Sequence, residues 1–245
     1  MRDIEKYAQD YTAEGFEPIQ ESFRRKKVLE ILRRYEPQEI LDIGSGMQPL
    51  FTELGNIKYE KYTCIEPSLQ LYENAKQKAI GNKKVECIND FFPSKETDYK
   101  KYDFIICSSL LHEIENQGEF IEAIKKSCKK ESVVYFCVPN ANSFHRILAK
   151  RMGLIKEIDE KTERNVELQQ NNVFDIESLR KILEGKGFFI IEYGTFFMKP
   201  FTHKQMYFAL KEKIIDEKVL EGLYNCSEEF SENGSEIYMI VKIST

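Results

Sequence analysis

Glu39-Ile40-Leu41-Asp42-Ile43-Gly44-Ser45-Gly46 is the stretch that decides the fold. The apolar run 40–43 is short and reads as a buried strand. Two glycines follow it, and a helix can begin near Pro49. Strand, tight glycine turn and helix together make a site for a nucleotide-type ligand. Gly44 and Gly46 lack a Cβ, so a ligand can approach their backbone closely. A new helix offers unpaired N–H groups to an anion. The same stretch also admits a plain strand-to-helix turn whose glycines serve only sterics.

A dinucleotide loop wants a third glycine three residues after the second, and Pro49 stands there. Proline is welcome in the first turn of a helix, but it cannot give the close packing of a third glycine. An NAD or FAD site is therefore disfavoured. The run Leu41-Asp42-Ile43-Gly44-Ser45-Gly46 instead resembles the first motif of class I S-adenosylmethionine-dependent methyltransferases. The resemblance implies that Asp42, Gly44 and Gly46 surround the methionine half of that cofactor, and Ser45 is expected among the cofactor-binding residues.

The chain as a whole narrows the choices. Its 245 residues suffice for one large domain with its own core. It carries 36 basic and 41 acidic residues, mixed along the chain, for a net charge of −5. No basic block marks a nucleic-acid track, so no nucleic-acid partner is expected. No apolar run reaches the length of a membrane span, and the charged Met1-Arg2-Asp3-Ile4-Glu5-Lys6 is no signal peptide. The six cysteines include no CxxC pair, and Cys64, Cys87, Cys107 and Cys137 fall inside strand patterns. They suit core positions in a reducing cytosol better than zinc ligands or disulfides, so no metal is expected.

The rest of the chain alternates strands and helices. Residues 1–18 are polar with Tyr7, Tyr11 and Phe16 interspersed, and read either as a loose tail or as a lid. Glu14-Gly15-Phe16-Glu17-Pro18 breaks any helix, and a helix then spans about 19–35, with Val28, Ile31, Leu32 and Tyr35 on one stripe. Its Arg24, Arg25, Lys26 and Lys27 read as a solvated face. A second strand, 59–66, ends in Glu66-Pro67-Ser68, and Glu66 lies twenty residues past Gly46. A carboxylate there can accept both hydroxyls of a ribose; the other reading of Glu66 is a surface acid before a helix capped by Ser68. The helix that follows runs to about Ile80, with Gly81 as its stop. A third strand, 85–88, leads to Asn89-Asp90-Phe91-Phe92. There Asp90 or a neighbouring amide can hold the amine of an adenine and Phe91 its ring face; the other reading of Asp90 is a turn former.

A fourth strand, 102–107, runs into Ser108-Ser109-Leu110-Leu111-His112-Glu113. A helix at about 118–130 and a fifth strand at 132–138 follow. This succession means a doubly wound parallel sheet of the α/β class. Further on come a helix at about 142–152, one capped by Asp175, a sixth strand at 188–193, a helical pattern through Met206, Tyr207, Leu210 and Ile214, and a last strand at 237–243.

Here the resemblance becomes more specific. Ser108-Ser109-Leu110-Leu111-His112-Glu113 looks like the fourth-motif region of small-molecule methyltransferases. Val138-Pro139-Asn140-Ala141-Asn142-Ser143-Phe144-His145-Arg146, Val173-Phe174-Asp175 and Phe196-Phe197-Met198-Lys199-Pro200-Phe201 resemble a bacterial subgroup found among enzymes of surface polysaccharide and secondary metabolism. Relatives often carry a His before the Val-Phe-Asp segment; Asn171 and Asn172 stand there instead.

The resemblance implies one Rossmann-like methyltransferase domain over 1–245, built on a seven-stranded, mostly parallel sheet with an antiparallel last strand. Residues 1–36 form a lid and helix, 38–139 the cofactor-binding core, and 140–174 and 198–234 substrate-side insertions. Gly44, Glu66, Pro67, Asp90, Phe91 and Ser108 are expected around S-adenosyl-L-methionine, which leaves as S-adenosyl-L-homocysteine. His112 is the natural general base, with Glu113 its neighbour; the alternatives are a packed His and a solvated acid. Tyr7, Tyr11, Asn140, His145 and Arg146 are candidates for the small-molecule methyl acceptor, the last two for an anionic group. A peptide or protein acceptor, or a non-catalytic subunit that binds an adenosyl ligand, are the competing expectations.

Overall fold

The computed structural model describes Ile4 and residues 15–93, 102–161 and 170–243. Tyr7 and Tyr11, and most of the expected lid, lie outside the described residues. Helix α1 spans Glu17–Tyr35. It starts earlier than expected because Pro18 sits in its first turn, where no intrahelical N–H is required. Strand β1 (Glu39–Ile43) follows. After the glycine loop comes only a 3-10 turn, Leu50–Glu53, in place of the α-helix expected near Pro49.

Next are β2 (Lys61–Ile65), α2 (Leu69–Lys78), β3 (Val85–Ile88) and β4 (Tyr102–Ser108). Ser68 caps α2 by accepting the N–H of Leu71, which fixes where the helix leaves the β2 loop. A 3-10 turn, Leu111–Glu113, leads to α3 (Gln117–Ser127). The chain passes without a loop from α3 into β5 (Cys128–Pro139), so the expected helix end near residue 130 belongs to the strand. Then come α4 (Phe144–Arg151), α5 (Ile176–Gly185), β6 (Phe188–Phe196), α6 (His203–Lys211), α7 (Glu217–Asn225) and β7 (Glu236–Ile243). Asp175 closes a capping box with Ser178 at the start of α5, as its place before an apolar run suggests.

Among the described residues the seven strands form one sheet in the order β3-β2-β1-β4-β5-β7-β6. Strands β1 to β5 pair in parallel, and β7 runs antiparallel between β5 and β6. The doubly wound α/β expectation thus holds, with the antiparallel strand where the methyltransferase resemblance put it.

Side-chain alternation sends each strand into two cores. Ile40, Tyr62, Phe104, Ile106 and Tyr135 pack with Phe23, Val28, Ile31 and Leu32 of α1. Leu41, Ile43, Ile105, Cys107 and Phe136 pack on the other face with Phe120, Ile121 and Ile124 of α3 and Leu179 and Leu183 of α5. Asp42 shares the parity of Ile40, so it points to the α1 face. The chain turns to opposite sides of the sheet between β1 and β4. Beyond the carboxyl ends of those two strands lies the crevice in which such sheets bind ligands.

Candidate active site

A cleft opens there, between the glycine loop and the first half of α1. Its volume is about 170 Å³, and it opens to solvent. Asp42, Gly44, Ser45, Gly46, Glu66, Pro67, Ser108 and Glu113 line it, as do Glu17, Glu21, Arg24 and Arg25 of α1.

The glycine loop is shaped by its two glycines. Gly44 and Gly46 have φ of +82° and +62°, which a side chain would strain. A Cβ on Gly46 would meet no atom within 4 Å, so the loop presents bare backbone to the cleft. Glu66 stands just past β2 and is buried. Its Oε2 accepts the N–H of Gly46 and its Oε1 the N–H of Ser68, both at 3.1 Å. A carboxylate has two acceptor oxygens, the chemistry that a pair of vicinal hydroxyls requires. Asn89 bridges the backbone oxygens of Glu66 (2.9 Å) and Pro67 (3.2 Å), which ties the end of β3 to this loop.

Asp42 is buried and its Oδ2 accepts the Tyr62 hydroxyl at 2.6 Å. Burial outweighs that hydrogen bond, and the nearby Glu66 adds to it, so the Asp42 carboxyl is pushed up to about 7. The folded chain therefore holds a proton that the unfolded chain has released. Stability contributed by this group is present below pH 3.8 and is lost as pH rises towards about 7. Asp42→Asn is expected to gain in melting temperature relative to wild type across that window, by the equivalent of a few kcal/mol at about 1.4 per unit. Scanning calorimetry at several pH values checks this; a difference flat with pH contradicts it.

Arg24 departs from the solvated face expected of it. It is buried, donates to Ser109 Oγ at 2.9 Å and pairs with Glu17 and Glu236. Ser109 follows β4 directly in a left-handed conformation, φ +54°, held by its N–H on the Cys137 carbonyl. A strained non-glycine residue of this kind is common at functional sites. Gln20 and Lys199 extend this buried polar group: Lys199 donates to Gln20 and lies 3.0 Å from His203 Nδ1. Arg25 is also largely buried and pairs with Glu21 and with Glu53. Neither arginine was legible as part of a site. The available signal was negative: the α1 stripe lacks apolar residues at 17, 21, 24 and 25.

The other expected residues fall in different places. Glu113 lines the cleft, whereas His112 is buried outside it, its Nε2 3.8 Å from Glu113 Oε1. Asn171 donates its amide to the Glu113 carbonyl at 2.7 Å, and Asn171 and Asn172 donate backbone N–H groups to that of His112. Asp90 is half-buried and caps the N–H of Phe91, and Phe91 is 50% exposed; neither lines the cleft. Asn140 is buried and spends its side chain on the Glu232 and Gly234 carbonyls and the Asn142 N–H. Arg146 donates to the carbonyls of Ile158 and Glu160, and so braces the turn after α4; it and His145 do not line the cleft. Among the described residues no group of three or more His, Cys, Asp or Glu could hold a metal ion, and no helix is long and apolar enough to cross a membrane.

The donor set fits the adenosyl cofactor that the sequence resemblance implies. A carboxylate braced for a diol, a bare glycine backbone and a buried Ser45 hydroxyl without a hydrogen-bond partner among the described residues face one cleft. A family model described as a methyltransferase domain matches residues 16–193. No curated protein matches the sequence. Among solved structures, the chain is similar to an S-adenosylmethionine-dependent methyltransferase from Mesorhizobium loti, at TM-score 0.59 and 12% identity over 89% of this chain and 97% of that one. It is similar to the plantazolicin methyltransferase BamL, solved with a triazolic desmethylPZN analog and SAH, at TM-score 0.58 and 16% identity over 98% and 89%. It also matches a chain of the complex between the Haloferax volcanii Trm112 methyltransferase activator and a putative methyltransferase, at TM-score 0.64 and 10% identity over 99% and 98%.

Proposed function

The chain belongs to the methyltransferase domain family, and from that premise we propose that it transfers a methyl group from S-adenosyl-L-methionine to an oxygen or nitrogen of a small polar metabolite, such as a sugar- or nucleotide-linked compound. The observation that carries this reading is Glu66, buried at the end of β2 with both oxygens pinned by the N–H groups of Gly46 and Ser68. A carboxylate so placed beside a glycine loop binds a ribose and fixes the rest of the ligand relative to β4.

The cofactor, when bound, supplies both the methyl group and its own sulfonium leaving group. The protein's part is alignment, which can supply up to about 7–11 kcal/mol of rate acceleration. Glu66 accepts the two ribose hydroxyls. Gly44 and Gly46 would let the backbone approach the methionine half, and the buried Asp42 beneath the loop, held by the Tyr62 hydroxyl, would set the loop's position. Ser108 and Ser109 close the cleft at the end of β4. Glu113 faces the cleft and is the group placed to take a proton from a hydroxyl or ammonium acceptor. His112, packed behind Glu113, is a positioning residue in this reading. Residues 38–139 act as the cofactor core, and 1–36, 140–174 and 198–234 surround the acceptor.

A peptide acceptor is the second reading, because the plantazolicin methyltransferase matches over 98% of this chain. A methyl-transfer assay with isotope-labelled S-adenosylmethionine separates the two. Label is expected in hydroxyl- or amine-bearing metabolites from a cell extract passed through a small-pore filter. Label only in the retained peptide and protein fraction would favour the second reading, and none in either would leave a non-catalytic adenosyl-binding subunit.

A further inference from the structure

Cys64 of β2 and Cys87 of β3 are direct partners in the parallel register, and their sulfurs lie 3.2 Å apart. That is closer than the about 3.5–4.0 Å at which even carbon atoms pack. Cys128 and Cys137 donate elsewhere, to the Ile124 carbonyl and to Glu236. Neighbouring strands stand about 4.7–4.9 Å apart, which falls within the about 4.4–6.8 Å between Cα atoms that a disulfide spans. Little backbone movement is therefore needed to join the two sulfurs. We propose that Cys64 and Cys87 are a redox pair that closes reversibly to a disulfide and staples the edge strand β3 to β2; this stands independently of the cofactor reading above.

The two thiols differ in access. Cys64 is buried, whereas β3 is the outermost strand and half-buried along its length, so a small oxidant reaches Cys87 from the sheet edge. The Cys64 thiol donates to Cys87 Sγ. That hydrogen bond, helped by Lys76, holds the Cys87 thiol below its ordinary range against burial and the charge of Glu86. Cys87 is thus the nucleophile. Its thiolate attacks one sulfur of a low-molecular-weight disulfide such as oxidised glutathione, and one glutathione thiolate leaves. Cys64 then gives up its proton and attacks Cys87 Sγ, and the second glutathione thiolate leaves. Two protein thiols are oxidised, one disulfide is reduced to two thiols, and the two protons go to the leaving thiolates. The new bond lies two residues before both Glu66 and Asn89, on the sheet face that packs against α1. Asn89 donates to the Glu66 and Pro67 carbonyls, so the staple fixes the strand that braces this loop.

Thiol trapping and peptide mass spectrometry on the full chain test this. After incubation with oxidised glutathione and alkylation of the remaining thiols, a peptide cross-linked through Cys64 and Cys87 is expected, and dithiothreitol should abolish it. The oxidised chain should melt about 5–15 °C above the reduced one, because the bond constrains the unfolded chain. Cys64→Ser should instead keep glutathione on Cys87, since no thiol is left to displace it. Cys87→Ser, at the sheet edge, should show neither the cross-link nor the rise, and it carries the test if Cys64→Ser fails to fold. Recovery of Cys64 and Cys87 as free thiols after oxidation would overturn the proposal. So would a wild-type chain that keeps glutathione on Cys87 beside a free Cys64, or a cross-link that leaves the melting temperature unchanged or lowers it.

Discussion

Glu66→Gln is expected to weaken S-adenosylhomocysteine binding by about tenfold to a hundredfold, the equivalent of about 1.5–3 kcal/mol for hydrogen bonds to a charged group. Two effects add. The variant loses the charge that strengthens the bonds to the ribose hydroxyls. It also places an NH₂ where a carboxylate oxygen now accepts the N–H of either Gly46 or Ser68, so donor faces donor and the glycine loop is pushed out of place. Titration calorimetry on wild type and variant reads the difference directly. An unchanged dissociation constant would remove Glu66 from the site.

Glu113→Gln is expected to lower kcat by about 10²–10⁴ for an acceptor that must lose a proton, with S-adenosylhomocysteine affinity nearly unchanged. The amide keeps the shape of the side chain and cannot accept the proton. Glu113 is preferred over His112 because only Glu113 lines the cleft. His112 is 2% exposed, so His112→Ala leaves a cavity and is expected first to lower the melting temperature. Steady-state kinetics on both variants, scaled to folded protein, decide between them. Full turnover by Glu113→Gln beside a large loss in folded His112→Ala would return the role of base to His112.

How far the sequence reveals this site depends on how local each signal is. Ile40, Leu41 and Ile43 followed by Gly44 and Gly46 announce a strand and a tight turn within a few residues, and the structure places both there. The spacing of Glu66 is fixed by the length of one strand-and-loop unit, so it too is readable. The role of α1 is not. Arg24 is buried among partners distant in sequence, Ser109 after β4 and Glu236, 212 residues away, at the start of β7. Charges at 17, 21, 24 and 25 look like a wet helix face until the sheet defines a cleft beneath them. His145 and Arg146 fail in the opposite way: their chemistry suits an anion, but the backbone turn at 158–160 takes up the guanidinium. Asp90 and Phe91 stand at the end of β3, where their spacing put them, but half-buried or exposed outside the cleft.

The most direct test of the central claim is a titration of the wild-type chain with S-adenosylhomocysteine beside NAD. Glycines that bear on a ligand with Pro49 in place of a third glycine, and Glu66 set for a ribose, predict saturable one-site binding of S-adenosylhomocysteine and none of NAD. Binding of NAD without binding of S-adenosylhomocysteine would contradict the account.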